Sequence, residues 1–207
     1  MGVVGSFYDL PSEIAEGSED LVTSNEGLHW QPPYQMSEII YSQLPAGERE
    51  QYERQALMNF KLALANIFSS LKEGGIAVLQ FGHEGQLQKL WDLVRDTLNE
   101  ELFRKYKPSV NFPLFYPTVE DIEESLHQAG FTPENISIQS FDQDLTEDTP
   151  VAIASFLSAF TRPGFSQFFS QEDLDAFYKK IEERLGAMDL AEFRKGQWHR
   201  TLLRLKK

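Results

Sequence analysis

Glu73-Gly74-Gly75-Ile76-Ala77-Val78-Leu79-Gln80-Phe81 is the stretch whose reading decides the fold. Paired glycines stop a helix, because glycine accepts the left-handed cap without steric cost. The run that follows is apolar except at Gln80, too apolar for a strand with one wet face. It reads as a buried strand of a parallel sheet covered on both sides. Upstream, from Glu48 to about Leu71, Leu57, Phe60, Leu64, Ile67, Phe68 and Leu71 recur three or four residues apart and predict a helix. Helix, glycine stop and apolar strand are the grammar of a βαβ unit, and so of an α/β domain.

Working outward, Asp20–Ser24 reads as a second short strand, broken by Asn25-Glu26-Gly27. That turn delivers Leu28, His29 and Trp30 just past the strand end, where loops of open α/β sheets converge on a ligand. An indole donor on a rigid apolar plane suits a small organic acid. The competing reading is that Trp30 is core and His29 its satisfied neighbour.

Downstream, Gly85 to Tyr106 predicts a helix with Leu87, Leu90, Trp91, Val94, Leu98 and Leu102 on one face, ended by Pro108. Asn111–Pro117 is extended and aromatic, too rich in proline for a central strand. Thr118 caps a third helix, with Asp121 placed to complete a capping box, and Gly130 ends it. Glu134–Phe141 alternates as a strand. Pro150–Phe160 and Ser170–Leu185 are amphipathic helices separated by Arg162-Pro163-Gly164-Phe165, and Trp198–Leu205 is a last strand. The basic residues Arg200, Arg204, Lys206 and Lys207 read as a solubilising end. With no repeat and no linker in sight, residues 1–207 are expected to form a single domain.

Composition narrows the function. The chain has 207 residues, no cysteine and a net charge of −13. Disulfides, thiolate metal sites and a cysteine nucleophile are excluded. A nucleic-acid partner is not expected, since a phosphate backbone demands clustered Lys and Arg. Without an apolar run of membrane length or a signal-peptide pattern, the expected location is cytoplasmic.

Few chemical motifs present themselves. The four histidines (29, 83, 127 and 199) stand far apart without helix-face metal spacing, so no metal site is expected. GxSxG and P-loop patterns are absent, and no GxGxxG turn follows a strand. The acidic run Asp142, Asp144, Glu147 and Asp148 reads as solvated surface. No catalytic residue is assigned.

Taken in order, Gly5-Ser6-Phe7-Tyr8, the Ser24-x-x-x-Leu28-His29-Trp30 run, the helix from Gln55 ending in Leu71-Lys-Glu-Gly-Gly75, Asn111-Phe-Pro-Leu-Phe-Tyr-Pro-Thr118 and the final Leu202-Leu-Arg-Leu-Lys206 resemble the SABATH carboxyl methyltransferases or a bacterial relative. That resemblance spans nearly the whole chain. It implies the second part of a class I methyltransferase, a Rossmann-like three-layer sandwich with an α-helical cap at about 149–187 before the last strand. It also implies S-adenosylmethionine as cofactor, with Ser6 and Phe7 beside it. His29 and Trp30 would hold the acceptor carboxylate, and Trp91 and Phe160 would line the acceptor pocket. For Phe7, Trp91 and Phe160 an ordinary core position is the alternative. The implied reaction is methyl transfer to the carboxylate of a small organic acid.

Departures from the family pattern set further expectations. Glu26 stands where the family often has Tyr, placing an anion at the mouth of a site for carboxylates. No acidic metal ligand is evident around Pro108. The family's first strands, its glycine-containing cofactor loop and its ribose-binding acid have no counterpart here. Cofactor binding by this chain alone is therefore expected to be weak, and a complementing N-terminal half or a second copy is expected to pair with the exposed sheet edge. A non-catalytic remnant, or a class I enzyme acting on another oxygen or nitrogen, are the alternatives.

Overall fold

The protein is described by a computed structural model covering residues 14–28, 46–107 and 115–207. Four strands, β1 (Glu19–Asn25), β2 (Leu71–Gly82), β3 (Ile136–Gln143) and β4 (Trp198–Lys206), form one sheet in the order β1-β2-β4-β3. Strands β1 and β2 are parallel, while β4 runs antiparallel to both β2 and β3. Between β1 and β2 lies α1 (Ala46–Ser70), and α2 (Gln88–Leu98) and α3 (Val119–Ala129) lie between β2 and β3. Helices α4 (Pro150–Phe165), α5 (Gln171–Gly186) and the short α6 (Leu190–Arg194) precede β4.

Strand alternation sorts the sheet into two unlike faces. Ala77, Leu79 and Phe81 of β2 and Leu203 and Leu205 of β4 point the same way and are sealed under Phe60, Leu64 and Ile67 of α1 and Ile122 and Leu126 of α3. On the other face Leu21 and Ile76 are 57% and 46% exposed. The expectation that β2 is covered on both sides therefore fails at Ile76. Its apolar run fits strand propensity, but no described helix packs over that side chain.

A second core is built mainly from helices. Leu90, Trp91, Val94 and Leu98 of α2 meet Ile153, Leu157 and Phe165 of α4 and Leu174, Phe177 and Ile181 of α5. Helix α2 thus packs with α4 and α5. The helix expected over Gly85–Tyr106 stops at Leu98, and a 3₁₀ turn follows at Arg104–Tyr106. Leu102, expected on its apolar face, is 53% exposed, while Phe103 is buried against Phe177.

The break expected at Pro163 does not occur, since α4 continues to Phe165. Phe165 is fully buried, stacked on Phe169 and edge-on to Phe177. Tertiary burial there outweighs the proline's local penalty. The Thr118 cap forms as the sequence implies: its hydroxyl accepts from the Asp121 N–H, the Asp121 carboxylate accepts from the Thr118 N–H, and Gly130 closes α3 in the left-handed region.

Candidate active site at the carboxyl ends of the strands

Beyond the last residue of β1 the chain turns at Glu26, whose φ of 55° is left-handed and whose N–H donates to the Gln80 carbonyl at 2.7 Å. Parallel pairing brings this turn level with the end of β2, and antiparallel pairing sets Arg200 of β4 opposite Gly82. Residues far apart in sequence therefore share one corner. The Glu26 carboxylate stands 3.6 Å from Arg200 Nε and accepts from Gln86 Nε2 at 3.4 Å. Gln86 is almost fully buried and lies directly over Gly82, where an added Cβ would come within 2.3 Å of its amide nitrogen. Only glycine leaves room for that side chain.

Glu26 is therefore compensated rather than a lone anion at the mouth. Arg200, read from sequence as solubilising, has a side chain only 21% exposed. Its guanidinium also lies over the Trp198 ring at 4.4 Å. From Trp198 an edge-to-face aromatic path leads through Phe156 and Phe160 to Trp91 in the cap core. Trp91 and Phe160, separated by 69 positions of chain, meet with ring centroids 5.8 Å apart. Trp91 is 5% exposed and Phe160 half-buried. Ser6, Phe7, His29 and Trp30 lie outside the described residues. Leu28, next to His29 in sequence, is fully buried in the sheet core.

The loop after β2 carries two further groups. Glu84 lines a cleft of about 500 Å³ together with Arg54, Leu57, Phe115, Tyr116, Thr118 and Asp121. Beside it, His83 shares a corner with His199 and Asp142. Wide separation in sequence had argued against such a cluster, and sheet register overrides it. Burial and the neighbouring His199 push the His83 imidazole below its usual pKa, against smaller opposing effects of Asp142 and Glu84. Neither Arg200 nor Gln86 carried a sequence signal beyond lying near strand ends.

The Glu26–Arg200 pair is testable by itself. Arg200→Met keeps the apolar stem over Trp198 and strands the Glu26 carboxylate at a half-buried corner. We expect a loss of about 1–3 kcal/mol, largely recovered by adding Glu26→Gln, because the penalty is a half-buried charge without its cation rather than the lost pair. Denaturant melts of both variants measure this, and a double variant as unstable as Arg200→Met alone would contradict it.

No protein-family model matches the sequence, and no curated protein matches it. Among solved structures, loganic acid methyltransferase with SAH superposes on 100% of this chain and 66% of its own, at a TM-score of 0.71 and 16% identity. The fold is that of a class I methyltransferase. A SAM-dependent methyltransferase from Archaeoglobus fulgidus matches at a TM-score of 0.43 and 13% identity, over 99% of this chain and 66% of its own. The [4+2]-cyclase SpnF matches at 0.47 and 14%, over 99% and 56%. The chain thus spans just under two thirds of the first two proteins and less of the third. Among the described residues, no helix is long and apolar enough to cross a membrane.

Proposed function

We propose that this chain forms the acceptor-binding part of a SABATH-type, S-adenosylmethionine-dependent O-methyltransferase that esterifies the carboxylate of a small organic acid. The observation that supports this reading best is the end-to-end superposition on loganic acid methyltransferase, an enzyme whose name carries a carboxylic acid. The ordered sequence motifs from Gly5 to Lys206 add independent support.

The Glu84 carboxylate, just past the end of β2, suits a positively charged sulfonium, and Ser6 and Phe7 would hold the cofactor. When bound, S-adenosylmethionine supplies an electrophilic methyl group and leaves as S-adenosylhomocysteine. The chain's residues have a positioning task, because the acceptor carboxylate is already ionised at neutral pH and needs no general base. Trp30 and His29 orient it. Trp91 and Phe160, joined edge-to-face, give the cap an apolar wall that keeps water away. Among the described residues β1 forms one edge of the sheet and Leu21 on it is exposed, so a complementing segment or a second copy would pair there.

Methyl-labelled S-adenosylmethionine and a panel of small acids test the reading, using the chain alone and with a complementing cofactor-binding fragment of a class I methyltransferase. A methyl ester releases its label as methanol in alkali, whereas methyl ethers and N-methyl groups do not. Alkali-labile label is the expected result. Alkali-stable product would move the acceptor to another oxygen or to nitrogen, and no transfer in either preparation would leave a non-catalytic remnant.

A further inference from the structure

We propose that His83, His199 and Asp142 form a binding site for one divalent transition-metal ion of the zinc or cobalt kind, at the carboxyl end of β2. A ring nitrogen of each histidine and a carboxylate oxygen of Asp142 all lie within 4.8 Å of one another. His199 Nδ1 and Asp142 Oδ1 are 3.1 Å apart. Two ligands of a tetrahedral ion with bonds near 2.0–2.2 Å stand about 3.4 Å apart, so this pair already has nearly the required spacing.

Backbone pairing holds all three in place. Asp142 and His199 are register partners across β3 and β4, and the His83 N–H donates to the His199 carbonyl at 3.0 Å. No long loop has to be ordered for the ligands to converge. The His83 ring is further fixed by Thr201 Oγ1, 3.1 Å from its Nδ1, and Thr201 in turn contacts the Ser140 hydroxyl at 3.3 Å. Thr201 there can play the orienting part that outer partners play for metal-bound histidines. Gly85, beside the His199 ring, holds a φ of 89° that other residues rarely adopt, and so fixes the turn after His83.

The chemistry selects the ion. Two imidazoles and one carboxylate suit zinc, cobalt or nickel better than magnesium or calcium, which prefer oxygen throughout. Asp142 is 61% exposed and His199 30%, so water can complete the coordination. The ion would tie the ends of β2, β3 and β4 together and brace the loop carrying Glu84 and Gln86.

Cobalt(II) is the probe, because its visible bands intensify when nitrogen and oxygen ligands hold it in four- or five-coordination. Titration of the purified chain should give one such site per molecule, displaced by zinc, and zinc should raise the melting temperature by several degrees. Asp142→Ala and His199→Ala should each weaken binding roughly a hundredfold. Asp142 is exposed, so its variant keeps the fold and decides the question should His199→Ala prove unstable. Absence of the cobalt bands, or binding that survives both substitutions, would show a purely hydrogen-bonded cluster and overturn the proposal. Binding of several weak equivalents would do the same, marking nonspecific attraction to a chain of net charge −13.

Discussion

Phe177→Ala should cost this protein about 3–5 kcal/mol, the range for deleting a fully buried phenylalanine. Phe177 has no exposed surface and meets Phe103, Phe165, Phe169 and Tyr178 at centroid distances of 5.3–5.6 Å. Few neighbours can collapse into the space, since three of these four are themselves rigid buried phenylalanines. Such edge-to-face pairs add to the area term. The loss should also be uneven. The core of α2, α4 and α5 is separate from the one beneath α1 and α3. Amides of α4 and α5 should therefore lose hydrogen-exchange protection well before those of β2 and β4. A loss below about 1 kcal/mol would contradict the packing. Equal deprotection everywhere would show that the two cores melt as one.

That division bears on function. The helical core carries Trp91 of α2 and Phe160 of the cap, and the sheet end carries Glu26, Gln86 and Arg200, joined through the Phe156–Trp198 contact and the cation over Trp198. A ligand between them would be gripped by two units with separate stabilities. Local opening of the cap could then admit an acceptor without disturbing the sheet.

Local chemistry made much of this legible in the sequence. The Thr118–Asp121 box and Gly130 are set by neighbours within one helical turn, and the last strand by its two-residue alternation, and each stands where its residues imply. The paired glycines do not: α1 ends at Ser70, and Gly74 and Gly75 lie inside β2 rather than capping the helix. Failures came where distant contacts decide. Pro163 sits inside a helix because Phe165 is wanted in the cap core. Arg200 left the solubilising tail because antiparallel register sets it opposite Gly82. His83, Asp142 and His199 converge through register on two strand pairs that no periodicity reveals. The resemblance to a methyltransferase family reached the fold through motif order, which composition and spacing alone left at an α/β domain.

Trp30→Phe carries the largest effect expected on the reaction itself. Phenylalanine keeps most of the apolar plane and removes the indole N–H. If that N–H donates to the acceptor carboxylate, one charge-assisted hydrogen bond is lost, worth roughly 1.5–3 kcal/mol. Catalytic efficiency, in the preparation that transfers methyl, should then fall about ten- to a hundredfold. Cofactor affinity should hardly change, because other residues hold the sulfonium. Core burial of Trp30 makes the opposite forecast, in which the melting temperature drops and activity per folded molecule stays put. Measuring both on one variant separates the two. A destabilised but fully active enzyme would remove Trp30 from the site and pass the orienting role to His29 or to Arg54, the cation that lines the cleft beside Glu84.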